Sequence, residues 1–244
     1  MSSRSSGAPD EQALGPRGEE LADNLRTVRR RIEAACDAAG RPHDAVRLIV
    51  VTKTYPASDV RLLARLGVRE VGENRDQEAA PKAEACADLG LTWHYIGQLQ
   101  TNKARSVAAY ADVVQSVDRP RLVAALDAGA ARHERGLTCL IQVSLDGAPG
   151  RGGALPADVP ELADAIAESP HLTLGGVMAV APLAVEAARA FAELAEIGTR
   201  LRGTHPAATM VSAGMSNDLE QAVEAGATHV RIGTAVLGAR RLLR

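Results

Sequence analysis

The feature that most constrains this chain is an alternation of short β-branched runs with longer Ala/Leu/Arg/Glu-rich stretches. The runs fall near Val46–Thr54, Glu70–Asn74, Thr92–Gly97, Val113–Val117, Leu137–Leu145, Leu172–Val180, Thr209–Gly214 and His229–Gly233. Many of the stretches between them end in glycine, at Gly67, Gly90, Gly136 and Gly226, as helices do. Strands separated by helices pair in parallel, because each crossover returns the chain to the same edge direction. Eight such units in about 200 residues predict an α/β fold of the closed (β/α)8 TIM barrel type. An open dinucleotide-binding sheet would carry GxGxxG after its first strand, whereas the first strand here runs into TKTYPAS.

Ahead of the first strand, Leu21, Leu25, Val28 and Ile32 recur at helical spacing within Gly18–Ala39, and Gly40 with Pro42 stops the run. This predicts an extra N-terminal helix packed outside the barrel, with Arg26, Arg29, Arg30, Arg31 and Glu33 as a solvated face. Residues 1–16 are rich in Ser, Gly and Pro and lack an apolar segment. They read as a disordered tail and not as a signal peptide, leaving 17–244 as one barrel domain.

Composition narrows the function. A net charge of −2 argues against nucleic acid or anionic membrane as the principal partner, and 2% aromatic content offers no stacking platform for single strands. No apolar run approaches membrane-spanning length. Cys36, Cys86 and Cys139 are far apart and without CxxC, and the six histidines include no HExxH. A reducing cytoplasm without a structural zinc site or disulfide framework fits this usage.

Barrel chemistry sits at the C-terminal strand ends. Those ends present Lys53; Glu73 and Asn74; His94 and Gly97; Met178; Ser212, Gly214, Met215 and Ser216; and Arg231, Gly233 and Thr234. Lys53 stands out because only Lys53, Lys82 and Lys103 among the 28 basic residues are lysines. A lysine can give up its proton in a site that disfavours charge, whereas arginine stays charged. Lys53 is therefore a candidate amine nucleophile, or alternatively a side chain that snorkels from a strand end. Period-2 alternation puts Arg231 on the face shared by His229 and Gly233, and Lys53 on the face of Ile49 and Val51. Both cations then point into the mouth, where their repulsion disfavours the protonated amine. In the competing reading, Arg231 pairs with a carboxylate such as Glu73 for structural reasons. Ser216 is placed to N-cap a helix through Asn217–Glu224, and Gly233–Thr234 adds uncrowded backbone N–H groups. Barrels frequently bind phosphate at the loops after strands 7 and 8.

The motifs VTKTYPAS, GENRDQE, WHYIGQLQTNK, GGVMAV, SAGMSNDLEQAV and VRIGTAVLGAR, in this order from about Leu21 to Arg240, resemble the pyridoxal phosphate homeostasis protein family, also called the proline synthase co-transcribed homologue family. The resemblance implies a single-domain barrel of the alanine racemase N-terminal type that holds pyridoxal 5′-phosphate (PLP) as a lysine aldimine. It implies a cofactor shell of Lys53, Asn74, Met178, Met215, Ser216, Arg231, Gly233 and Thr234. In that shell Lys53 is the aldimine lysine, Ser216, Gly233 and Thr234 hold the phosphate, Arg231 faces the pyridine nitrogen, and Asn74 and Met178 line the ring. His94 belongs to a family motif without a role that can be derived. The loop DGAPGRGG, residues 146–153, carries Arg151 where many relatives have lysine.

The resemblance further implies a cytoplasmic protein of PLP homeostasis, buffering the cofactor or delivering it to PLP-dependent apo-enzymes, without established catalysis. A permanent cation at the pyridine nitrogen keeps that nitrogen unprotonated and weakens the ring as an electron sink. The pattern ends near Gly238, and Ala239–Arg244 offer no second domain to supply an opposing acid or base. The expectation is a carrier, compatible with a monomer. Its rivals are a small PLP-dependent amino-acid racemase or decarboxylase and a class I aldolase-type Schiff-base enzyme.

Overall fold

A computed structural model describes residues 14–148 and 152–238. Eight parallel strands close into a barrel in sequence order. They are β1 (Arg47–Val51), β2 (Glu70–Glu73), β3 (Thr92–Tyr95), β4 (Val113–Val117), β5 (Leu137–Gln142), β6 (Leu172–Met178), β7 (Met210–Ser212) and β8 (His229–Ile232). The outer ring comprises α1 (Gly15–Ala38), α2 (Ala57–Arg65), α3 (Asp76–Ala85), α4 (Ala104–Tyr110), α5 (Pro120–Arg132), α6 (Val159–Ala167), α7 (Ala187–Thr204), α8 (Leu219–Glu224) and α9 (Thr234–Leu237). Closure pairs β1 with β8, with Ile49 opposite Arg231, so no strand edge is left open.

Every predicted strand is present, and all but β4 are shorter than their predicted runs, mainly at the C-terminal end. There the chain turns outward over the barrel rim. Strand 8 ends at Ile232, and the apolar residues up to Gly238 belong to the short helix α9. The expected extra helix begins at Gly15, inside the stretch read as a tail, and residues 1–13 lie outside the described residues, as does Arg151. Gly67, Gly90 and Gly226 take the left-handed conformation after their helical segments, but Gly136 does not: after α5 that position is filled by Glu134, at φ 51°.

Alternation of strand side chains divides the interior. One set faces the helices, as with Val230 and Ile232 packed in the same cluster as Leu21, Leu25 and Val28 of α1. The other set fills the barrel axis, where Val113, Leu140 and Met178 cluster. The arginine face of α1 is only partly a solvated one. Arg31 grips Glu220 of α8 at 2.9–3.0 Å and donates to the Ser216 carbonyl at 3.0 Å, bracing the loop after β7.

Candidate functional site

The residues of the predicted cofactor shell lie along one contiguous arc of the barrel, because β6, β7, β8, β1 and β2 are consecutive neighbours around it. Met178 pairs with Ser212 across β6–β7, and Arg231 donates to Ser212 Oγ at 2.7 Å. A Cβ built on Gly233 would lie 3.3 Å from the Val51 carbonyl, which puts the exit of β8 directly against the exit of β1.

Lys53 lies two residues beyond β1, half-buried in a turn. Among the described residues it has neither a hydrogen bond nor an ion pair, unlike the other lysines. Lys82 is buried on α3, where it donates to Glu73 Oε1 and, at 2.8 Å, to the Thr52 carbonyl. Lys103 lies 3.9 Å from Asp76. The alternative in which Glu73 neutralises Arg231 therefore fails: Glu73 belongs to Lys82 and to the Thr52 hydroxyl, which donates at 2.6 Å. Sequence reading missed this pair. Its one visible signal was a lysine nine residues after a strand-end glutamate, on the helix that follows.

The turn carrying Lys53 is strained. Thr54 has φ 70°, a left-handed conformation that costs a β-branched residue about 1–2 kcal/mol. Neighbours hold it there: the Thr54 N–H donates to Glu78 Oε2 at 3.0 Å, and the Tyr55 hydroxyl donates to the Gly238 carbonyl at 2.8 Å. The second bond ties the lysine turn to the end of α9, whose first residue is Thr234.

Arg231 is 4% exposed. It donates to Ser212 Oγ and, at 2.8 Å, to the Ala179 carbonyl, and no carboxylate of the described residues pairs with it. Burial lowers its pKa to about 10, opposed by Asp218. At neutral pH it is still a cation, held by neutral oxygens alone.

Ser216 does not cap a helix. Helix α8 begins at Leu219, and Asp218 Oδ1 instead accepts the Met215 N–H at 2.6 Å. Ser216 is half-buried, Thr234 exposed and Met215 39% exposed at the rim, so hydroxyls and the backbone around Gly233 remain open to an anion. Asn74 contributes a buried Oδ1 without a hydrogen-bond partner. Its backbone touches Gly97 so closely that a Cβ there would lie 2.2 Å from the Asn74 carbonyl oxygen, which is why WHYIG needs its glycine. Met178 packs on Leu140 and Val113 along the axis.

His94 was expected at the mouth, but its side chain is at the other end. It shares a cavity of about 440 Å³ with Glu70, Thr92, Thr138, Met210 and His229, residues at or near the starts of their strands. The reason is register: His94 pairs with Val113, the first residue of β4, so the stagger of the barrel sets it level with a strand start.

The mouth thus combines an unpaired amine, a buried cation, an orphaned amide oxygen and a polar rim. Such an arc can receive a planar carbonyl compound that bears an anionic group.

Residues 19–241 match the family model for the alanine racemase N-terminal domain. A pyridoxal phosphate homeostasis protein of Mycobacterium tuberculosis H37Rv is 45% identical over 96% of this chain and 98% of its own length. The protein of that name from Escherichia coli K12 is 38% identical over 91% and 97%. The solved structure of PipY from Synechococcus elongatus PCC7942 with PLP bound is 34% identical, covers 89% of this chain and 100% of that one, and superposes with a TM-score of 0.76.

Proposed function

This chain belongs to the pyridoxal phosphate homeostasis protein family, built on the alanine racemase N-terminal domain, and on that premise we propose that it binds PLP at the mouth through Lys53 and serves to buffer or deliver it. The residues fit such a cofactor. The Lys53 amine has no competing partner among the described residues, the Asn74 Oδ1 is buried without a donor, and Arg231 is a buried cation without a carboxylate. Bound PLP supplies a carbonyl that an amine can attack, conjugated to an electron-poor ring. Lys53 provides that amine. Ser216, Thr234 and the backbone at Gly233 receive the phosphate, Met215 closes the rim beside them, and Asn74 and Met178 flank the ring.

Arg231 makes carbanion chemistry less favourable, although an arginine in this position does not by itself exclude turnover. A guanidinium that stays protonated cannot hand a proton to the ring nitrogen, so the ring remains a poor electron sink. Among the described residues, no carboxylate, imidazole or phenol is hydrogen-bonded to Lys53 to act as an acid or base opposite it. We place the protein in the cytoplasm, as a monomer that passes PLP to apo-enzymes. Cys36, Cys86 and Cys139, all free and buried, accord with a reducing compartment.

The observation that carries the proposal is the unpaired Lys53 amine just beyond β1, the strand that pairs with β8 and its buried, carboxylate-free Arg231. The test is borohydride reduction of the PLP-loaded protein followed by peptide mass spectrometry. The pyridoxyl mass is expected on Lys53 and absent in Lys53→Ala; a label on Lys82 or Lys103 refutes the assignment. Turnover of a free amino acid that depends on Lys53 would favour a small racemase or decarboxylase instead.

A further inference from the structure

A polar thread runs down the barrel axis from Arg231, on residues that the cofactor shell does not include. Arg231 Nη1 donates to Ser212 Oγ at 2.7 Å, and the Ser212 hydroxyl donates to Gln115 Oε1, also at 2.7 Å. The Gln115 amide nitrogen meets His94 Nδ1 at 2.9 Å. His94 Nε2 then lies 3.2 Å from Glu70 Oε2 in the cavity at the barrel base, out of hydrogen-bond alignment, and His229 Nε2 lies 3.8 Å from the same oxygen. Ser212 and Gln115 are fully buried, and His94 is 2% exposed. Burying three polar side chains in an apolar barrel is costly unless each is satisfied by the next. An apolar filling of the same volume would serve packing alone equally well.

The thread has a direction. Guanidinium can only donate, so Ser212 Oγ must accept; its one proton goes to the Gln115 carbonyl oxygen, which can only accept. The Gln115 amide then donates to His94 Nδ1, and the neutral His94 ring carries its proton on Nε2, towards Glu70. Each link turns its acceptor end towards Arg231. The aligned dipoles favour the buried positive charge without a carboxylate that would cancel its field. Ser212 and the Ala179 carbonyl also hold different η nitrogens, which sets the plane of the guanidinium.

We propose that Ser212 and Gln115 are positioning residues: they orient Arg231 towards the ring nitrogen of the cofactor and keep it an unneutralised cation, with His94 anchoring the far end of the thread. This rests on the PLP reading above. The charged and titratable neighbours at the anchored end are Glu70, His229 and Arg47.

The test uses the PLP-loaded full chain with Ser212→Ala, Gln115→Leu and Arg231→Ala. The two thread variants are expected to shift the absorption band of the lysine-linked cofactor in the same direction as Arg231→Ala. They should also move the midpoint of its pH titration by about 0.5–1 unit, a ~3- to 10-fold change in proton affinity. Combined with Arg231→Ala, neither should add to its effect. Spectra and midpoints that superimpose on the wild type, with only the melting temperature lowered, would overturn the proposal, as would strictly additive effects. Loss of the band in Lys53→Ala with unchanged thread variants sinks the thread alone; retention of the band in Lys53→Ala sinks the cofactor reading beneath it. Should the thread variants fail to fold, ¹⁵N NMR of the native chain decides: an Nε2–H tautomer of His94 is expected, and an Nδ1–H tautomer reverses the thread and refutes it.

Discussion

The two ends of this barrel handle charge in opposite ways. At the base, Glu70 is enclosed by His94, His229 and Arg47. Burial pushes its carboxyl up, but these neighbours outweigh burial and hold it below the usual carboxylate range. His229 responds in the complementary direction: burial drives it down to about 4, and it stays neutral beside that carboxylate. At the mouth, Lys53 has no acidic partner among the described residues, and Arg231 has only neutral oxygens. Charge at the base is balanced internally, whereas at the mouth, beside the paired Glu73 and Lys82, the cations Lys53 and Arg231 are left for something else to balance. The difference separates an end that contributes to stability from an end that can bind an anion, as expected of a barrel whose chemistry sits at the C-terminal strand ends.

Lys53→Ala gives the largest contrast. Covalent attachment of PLP should be lost entirely, while the stability of the ligand-free chain changes by no more than about 0.5 kcal/mol, because no described partner is removed. Denaturant titration beside borohydride labelling reads both; a large loss of stability would mean that Lys53 has a structural partner after all. Lys82→Met should do the reverse. It strands Glu73 as a buried, unpaired carboxylate, and a loss of about 3–5 kcal/mol is expected from the urea midpoint at neutral pH. A near-neutral result would show that Glu73 takes up a proton at little cost.

The base can be broken with acid. The folded-state value of His229 is about 4, below the ordinary 6.5, so the unfolded chain binds more protons between those limits. The stability due to His229 is full above pH 6.5 and is lost as the pH falls towards 4, on the order of 3 kcal/mol in all. His229→Gln should flatten that part of the stability–pH curve; an unchanged slope there would remove His229 from the account. The smallest effect is expected at Arg31→Ala, which frees the Ser216 loop from α1. Its exposed ion pair contributes little stability, so a twofold to fivefold loss of PLP affinity, under about 1 kcal/mol, is the anticipated change. Binding equal to the wild type would show that the loop needs no brace.

Much of this was legible from local pattern. Apolar runs marked the eight strands, the Gly stops at 67, 90 and 226 marked the ends of three helical segments, and period-2 parity sent Arg231 inward. Inward is a direction without a depth, so His94 was read at the mouth although its side chain lines the base cavity. Ser216 was read as a helix cap because Ser before an acidic stretch is an N-cap signal, but the chain spends two more residues, Asn217 and Asp218, turning before α8 starts. Gln115 was visible only as an amide interrupting the apolar run VVQSV.

Lys53 in its turn after a buried strand, the family motifs and the eight-fold alternation follow from residue types and spacings along the chain. Which charges are matched does not. Lys82 with Glu73, Arg31 with the Ser216 carbonyl, and Ser212 with Gln115 across 97 residues meet only when the barrel closes. The physical reason is range. Periodicity and turn chemistry act within a few residues, whereas burial and ion pairing are decided by whatever closure brings within about 4 Å.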